Sequence, residues 1–291
     1  MPAYIICSFD AKSGKAILRD DTALERVSKD ILSISIIMLK KLALTILPLI
    51  CFIYSQAQNT RLIVRAQAKD AKFIGTGIGG AYVTVRNNLT GEILAKGLTA
   101  GTSGNTDLMM KGQVRRGLPV IDTATARFEA SIAISEPTFV DIEAVAPFTR
   151  RNAAVKSTTQ VWLIPGKDIL GEGVLLEFPG FILDVLSPTT HEFIKLEELK
   201  GNLRFKVSLT MMCGCTITKG GVWDANGIEV KAIVKKEGVR INELPLHITA
   251  AANIFEGTLK TEAKGNYELV VYAYDAKTGN TGVDKINFVI Q

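Results

Sequence analysis

Histidine and cysteine are scarce in this chain, with 2 His and 4 Cys among 291 residues. Zinc centres, histidine-dependent acid–base catalysis and dense disulfide frameworks all draw on these residues, so most enzyme classes lose their raw material. An excess of one charge is also lacking: 34 Lys plus Arg stand against 29 Asp plus Glu, a net +5. So small an imbalance, with no basic cluster, argues against a nucleic-acid partner. No Gly-x-Ser-x-Gly elbow occurs, and two histidines leave little choice of general base. The glycine-rich stretch from Gly75 to Gly80 is not followed by Lys-Ser or Lys-Thr and has strand-like neighbours, so it is not read as a phosphate loop. What the chain does have is 47% hydrophobic residues and a length suited to two domains, each with its own core.

Met38-Leu39-Lys40-Lys41, the apolar run Leu42 to Tyr54 and the small and polar residues Ser55-Gln56-Ala57-Gln58 form the three parts of a secretory signal. Cleavage after Ala57 follows, leaving Gln58 as the mature N-terminus. The run is shorter than the roughly 20 residues a spanning helix requires, and no later stretch is long and apolar enough, so the mature chain is expected to lack a membrane span. Residues 1–37 are read as an upstream extension outside the mature fold and 38–57 as the signal peptide. The alternative is an anchored protein in which Ile31 to Ile37 extend the apolar segment, although Lys40 and Lys41 interrupt it. Cys51 follows Pro48-Leu49-Ile50, without the small residue of a lipoprotein site. Removing residues 1–57 leaves 27 basic against 24 acidic residues and, of the cysteines, Cys213 and Cys215.

Beyond Asn59 the chain consists of short alternating or β-branched runs punctuated by Gly, Asn and Asp, which indicates an all-β protein. Strands are expected over 61–68, 81–86, 92–98, 126–134, 138–144 and 158–164, with a flexible Gly-, Thr- and Ser-rich loop between Thr99 and Thr125. The boundary is set at the glycines after Pro165. Seven further strands are expected, over 174–186 (broken at Pro179-Gly180), 202–211, 228–234, 246–250, 254–261, 266–275 and 284–290. Seven antiparallel strands at this spacing make an immunoglobulin-like sandwich. The reading is therefore two β-sandwiches of immunoglobulin-like or transthyretin-like type, 58–167 and 168–291. Tyr267, at the start of the sixth strand of the second sandwich, occupies the place of a tyrosine corner and is structural.

The run Gly265 to Ile290, with its Gly-x-Tyr start and the turn Tyr274-Asp275-Ala276-Lys277-Thr278-Gly279-Asn280, resembles the last hairpin of bacterial immunoglobulin-like modules. In the first half, Ala81-Tyr82-Val83-Thr84-Val85 leading to Thr90-Gly91-Glu92 and Ala95-Lys96-Gly97 is similar to the opening of carboxypeptidase regulatory-like sandwich domains. That family's compact Gly-rich turn after Thr99 is missing here. Both resemblances imply scaffolding and binding, with no catalytic residues to carry over.

One short motif carries chemistry: Met211-Met212-Cys213-Gly214-Cys215, followed by Gly220-Gly221-Val222-Trp223-Asp224. Two thioethers and two thiols are soft ligands suited to Cu(I), with His191 and His247 as further candidate ligands. Three readings stand side by side. The pair is a local disulfide or otherwise structural, it binds copper, or it exchanges thiol and disulfide. Met211 and Met212 alternate across a strand, so at least one packs inward. Trp223 is read as a partly buried sandwich residue. Asp275, Asn280 and Asp284 are too few for Ca2+ and are read as turn chemistry. The expected function is an exported, non-enzymatic binding or structural protein of the periplasm or extracellular space, with a protein or envelope partner and no cofactor. The alternatives are a periplasmic copper-handling protein and, third, a thiol-disulfide redox protein.

Overall fold

The computed structural model describes residues 28–41, 57–112 and 120–291. The chain divides into two units, 1–56 and 57–291. Within the first, residues 28–41 form a helix, α1, exposed along its length. The rest of the expected leader, from 1 to 27 and from 42 to 56, lies outside the described residues. Among the described residues no helix is long and apolar enough to cross a membrane.

The second unit is built from strands arranged as two sandwiches. In the first, β1 (Gln58–Ala68) lies between β4 (Phe128–Ile134) and β7 (Ile169–Phe178). It pairs antiparallel with β4 and parallel with β7. The opposing antiparallel sheet has the order β3 (Ile93–Leu98), β2 (Tyr82–Asn87), β5 (Thr138–Ala146), β6 (Val155–Leu163). The strict alternation of β5, with Val140, Ile142, Ala144 and Ala146 buried, sends every second side chain into the core. There it joins Leu62, Val64 and Ala66 of β1 and Val83 and Val85 of β2.

The second sandwich sets β15 (His247–Ile248), β16 (Ile254–Lys260), β10 (Asn202–Met211) and β8 (Phe181–Ser187) against a larger sheet. That sheet runs β14 (Val239–Pro245), β13 (Ile228–Lys236), β17 (Gly265–Asp275), β18 (Thr281–Ile290), β9 (Phe193–Ile194). Both orders match an immunoglobulin-like sandwich, with β17 and β18 as its last two long strands. A short helix, α2 (Leu196–Leu199), precedes β10. A two-residue parallel pair, β11 (Ile217–Thr218) and β12 (Trp223–Asp224), lies in the loop after β10. Tyr267 is buried, and its hydroxyl donates to the Ala263 carbonyl at 2.8 Å and lies 2.9 Å from Thr261 Oγ1. This is the tie to the upstream backbone that defines a tyrosine corner.

Two expectations need correction. The passage between sandwiches falls at Pro179-Gly180, not between 167 and 168, because β7 hydrogen-bonds to β1 of the first sandwich. Gly171 and Gly173 sit at positive φ, and the β1–β7 register shifts between Leu62 and Val64. A Cβ on Gly173 would lie 2.3 Å from the Ile63 carbonyl oxygen. These glycines therefore shape an irregularity in a strand instead of marking a linker. The second correction concerns 99–125, whose ends are tied down: Ala100 bridges Arg127 and Thr102 bridges Thr125. Its middle, with Arg115 and Arg116, lies outside the described residues.

Candidate functional site

Met211 ends β10, and the chain then turns sharply. The Gly214 amide donates to the Met211 carbonyl at 2.8 Å, and the Met211 amide to the Cys215 carbonyl at 3.2 Å. Gly214 adopts φ +75°, the left-handed region that glycine enters without steric cost. Cys213 and Cys215 are joined as a disulfide across it, with Cα atoms 5.3 Å apart. The turn is anchored by Asn253, whose side-chain oxygen accepts from the Ile217 amide at 2.7 Å while its own amide donates to the Ile217 carbonyl.

Asp224 organises the next segment. Its Oδ1 accepts from the Gly220 amide at 2.8 Å and from the amide and side chain of Asn226 at 3.0 and 2.9 Å. The Asn226 and Gly220 amides, which favour the ionised form, hold this carboxyl below the ordinary carboxylate range. The result presents Trp223, half-buried, to the first sandwich, where its indole N–H donates to the Asp70 carbonyl at 2.9 Å.

This loop is one part of a junction. Gly214 faces Ile78, whose Cδ1 would lie 3.3 Å from a Cβ at that position. Ile78 belongs to the Gly75–Gly80 stretch, which serves as a contact for the second sandwich. Asn280 is fully buried; its side chain accepts from the Gly180 amide at 2.8 Å and donates to the Lys69 carbonyl at 3.1 Å. Arg150 pairs with Asp184, and Asn152 Nδ2 donates to the same carboxylate at 3.2 Å. Two cavities flank Trp223. One of about 350 Å³ is lined by Lys72, Ser103, Cys213, Cys215 and Trp223, and the other, of about 340 Å³, by Asp70, Phe181, Met211, Asp224 and Asp275.

The candidate copper ligands are thus dispersed. Met211 and Met212 are both buried, one more than strand alternation requires. His247 is exposed on β15 opposite Glu256, and His191 packs edge-on against Phe193; neither lines the cavity at the cysteines. Among the described residues no three His, Cys, Asp or Glu side chains group as a metal site. With its sulfurs bonded to each other, the pair offers no thiolate until it is reduced. Asp275 accepts from the Lys277 amide and the Thr278 hydroxyl, the local bonding expected of a turn residue, whereas Asp284 accepts from the Val185 amide 99 residues away and Asn280 bonds Gly180 and Lys69, so these two correct the turn reading.

Asp70, Arg150, Asp184 and the bridging role of Asn280 were not singled out in the sequence. They come from separate elements, and no local pattern announces them. Asn280 carried the nearest signal, as a polar residue in a turn beside a β-branched strand.

No protein-family model matches this chain, and no curated protein matches it. Among solved structures, an engineered protein is 14% identical over 44% of this chain and 24% of its own, with a TM-score of 0.29. Fibronectin(III)-like modules of Clostridium thermocellum CbhA are 13% identical over 80% and 94%, with a TM-score of 0.26. The ICAM-5 D1–D4 ectodomain fragment is 9% identical over 81% and 50%, with a TM-score of 0.24. The chain thus spans about a quarter of the engineered protein and half of the ICAM-5 fragment.

Proposed function

We propose that this chain is an exported, non-enzymatic binding or structural protein in which two sandwiches are held as one rigid body. The observation that carries the reading is the use of the chemically distinctive loop as a clamp. Trp223 reaches Asp70 across the junction, Gly214 seats on Ile78, and beside them the Asn280 side chain accepts from the Gly180 amide and donates to the Lys69 carbonyl. The buried side chains of both sandwiches form one continuous core, as a rigid body requires. Export is supported by the basic, apolar and small-residue succession over 38–57 and by the Cys213–Cys215 disulfide, since such bonds persist in oxidising compartments.

Protein recovered from the exported fraction tests this directly. Its first residue should be Gln58, and it should show no reactive thiol until reductant releases Cys213 and Cys215. An N-terminus upstream of Met38 contradicts the export reading. Free thiols in untreated material, with tight stoichiometric Cu(I) binding, favour copper handling instead.

A further inference from the structure

The outer face of the β3-β2-β5-β6 sheet departs from an ordinary solvated surface. Cross-strand register places Arg86, Asp141 and Gln160 in one row and Lys96, Thr84, Glu143 and Thr158 in the next. An open cleft of about 460 Å³ lies over these rows, with Arg86, Asp141, Glu143, Thr158 and Gln160 in its lining. That volume is within the range of small-ligand sites.

Aromatic pairs flank the polar rows. At one end, Phe139 and Trp162 stand opposite each other with ring centroids 4.9 Å apart, and Trp162 is 58% exposed. Trp162 follows Gln160 by two positions on β6, and so shares its face. At the other end, Tyr82 stacks on Phe148, again with centroids 4.9 Å apart. Tyr82 pairs with Val145, six residues along β5 from Phe139, so the aromatic ends are separated by about 20 Å of strand.

The polar groups between them are held in place. Asp141 accepts from Gln160 Nε2 at 2.6 Å and from Asn88 Nδ2 at 2.9 Å, and these bonds keep its carboxyl below the ordinary carboxylate range. Glu143 is paired with Lys156 at 2.9 Å.

We propose that this face binds a neutral oligosaccharide chain. A sugar ring has an apolar C–H face that stacks on the negative face of an aromatic ring, and a rim of hydroxyls that both donate and accept hydrogen bonds. Trp162 supplies the stacking surface, Asp141, Gln160 and Glu143 supply fixed partners for the rim, and Arg86 adds an exposed donor. Arg86 and Lys96 stand in the same rows as Asp141 and Glu143, so the rows carry no net charge to draw a charged polymer. They also suit a protein partner poorly, because the cores of protein interfaces are depleted of charge. A chain of linked rings spans the distance between the two aromatic ends. This deepens the reading of the protein as a non-catalytic binding module and rests on it.

Native gels cast with hydroxyethyl cellulose, xyloglucan, galactomannan or dextran test the site, with polygalacturonate as the anionic comparison. The expected result is retardation by at least one neutral polymer, with no reducing ends released. Trp162→Ala and Gln160→Ala should each lower that affinity, the former by about tenfold or more, in keeping with the loss of one stacking aromatic. Both should leave the unfolding midpoint within a few degrees, since both side chains are exposed. No retardation by any neutral polymer, retardation by polygalacturonate alone, or an unchanged shift in Trp162→Ala would overturn the site. Loss of a dimer on Trp162→Ala, without retardation of the unaltered protein, would assign the face to self-association and leave the broader binding reading intact. Retardation accompanied by new reducing ends would instead overturn the non-catalytic reading while leaving the sugar platform in place.

Discussion

The Tyr267 hydroxyl is a single polar group in an apolar setting, bonded to the Ala263 carbonyl and adjacent to Thr261, with its ring stacked on Phe288 at 5.4 Å between centroids. Removing it without altering the ring tests what the corner contributes. Tyr267→Phe is expected to lower stability by about 1 to 3 kcal/mol, because the part-buried Ala263 carbonyl and the Thr261 hydroxyl lose their partner. Denaturant unfolding with an unchanged slope checks this, and a loss below about 0.5 kcal/mol would contradict the assigned role. Arg65 is a second residue of this kind. It is buried on β1, its Nη1 donates to the Thr125 and Ala126 carbonyls at 2.7 and 2.9 Å, and burial lowers its pKa from the ordinary arginine value.

Among the elements, β7 shows how a few glycines decide a pairing. Strands joined in parallel pair less stably per residue than antiparallel ones, and β7 gains its place beside β1 through a bend that brings Gly173 against Ile63. Gly173→Ala forces a side chain into the left-handed region and onto a backbone carbonyl at 2.3 Å. The expected cost exceeds about 2 kcal/mol, the conformational penalty alone being about 1 to 2 kcal/mol. Gly171→Ala, with open space around its Cβ, should cost less. A thermal-melt comparison of the two variants separates strain from contact. β14 illustrates the opposite case, an edge strand that gave no signal. Val239–Pro245 is exposed at nearly every position and is held by its ladder to β13, so it carries no alternation to read.

At the scale of the whole molecule, the sheet membership of β7 dictates where the chain can be divided. A product ending at residue 167 strips β7 from β1 and leaves the buried stretch Leu62 to Ala66 with an open edge; one ending at 178 keeps the first sheet intact. Expression of 57–167 should therefore give aggregated or molten material, while 57–178 should be soluble and unfold cooperatively, as followed by circular dichroism and sedimentation. Equal behaviour of the two products would show that β7 is dispensable to the first sandwich.

Much of this protein was determined by local chemistry and was readable from its sequence. Strand alternation located all six strands expected of the first half, and β10 lies where expected, over Asn202–Met211. The Gly-x-Tyr start of β17 located the corner, since Tyr267 bonds to backbone only four residues away. Even the outward row of β6, Lys156, Thr158, Gln160 and Trp162, follows from period two alone. What tertiary structure decided are the relations between segments distant in the chain. Nothing near Gly171 distinguishes a bulge from a linker until β1, more than 100 residues earlier, is placed beside it. Nothing near Trp223 says that its indole meets Asp70 across 153 residues, or that Asn280 reaches Lys69 across 211. The physical reason is that periodicity records which face of a strand is buried, whereas the partner that buries it is chosen by the packing of the whole chain.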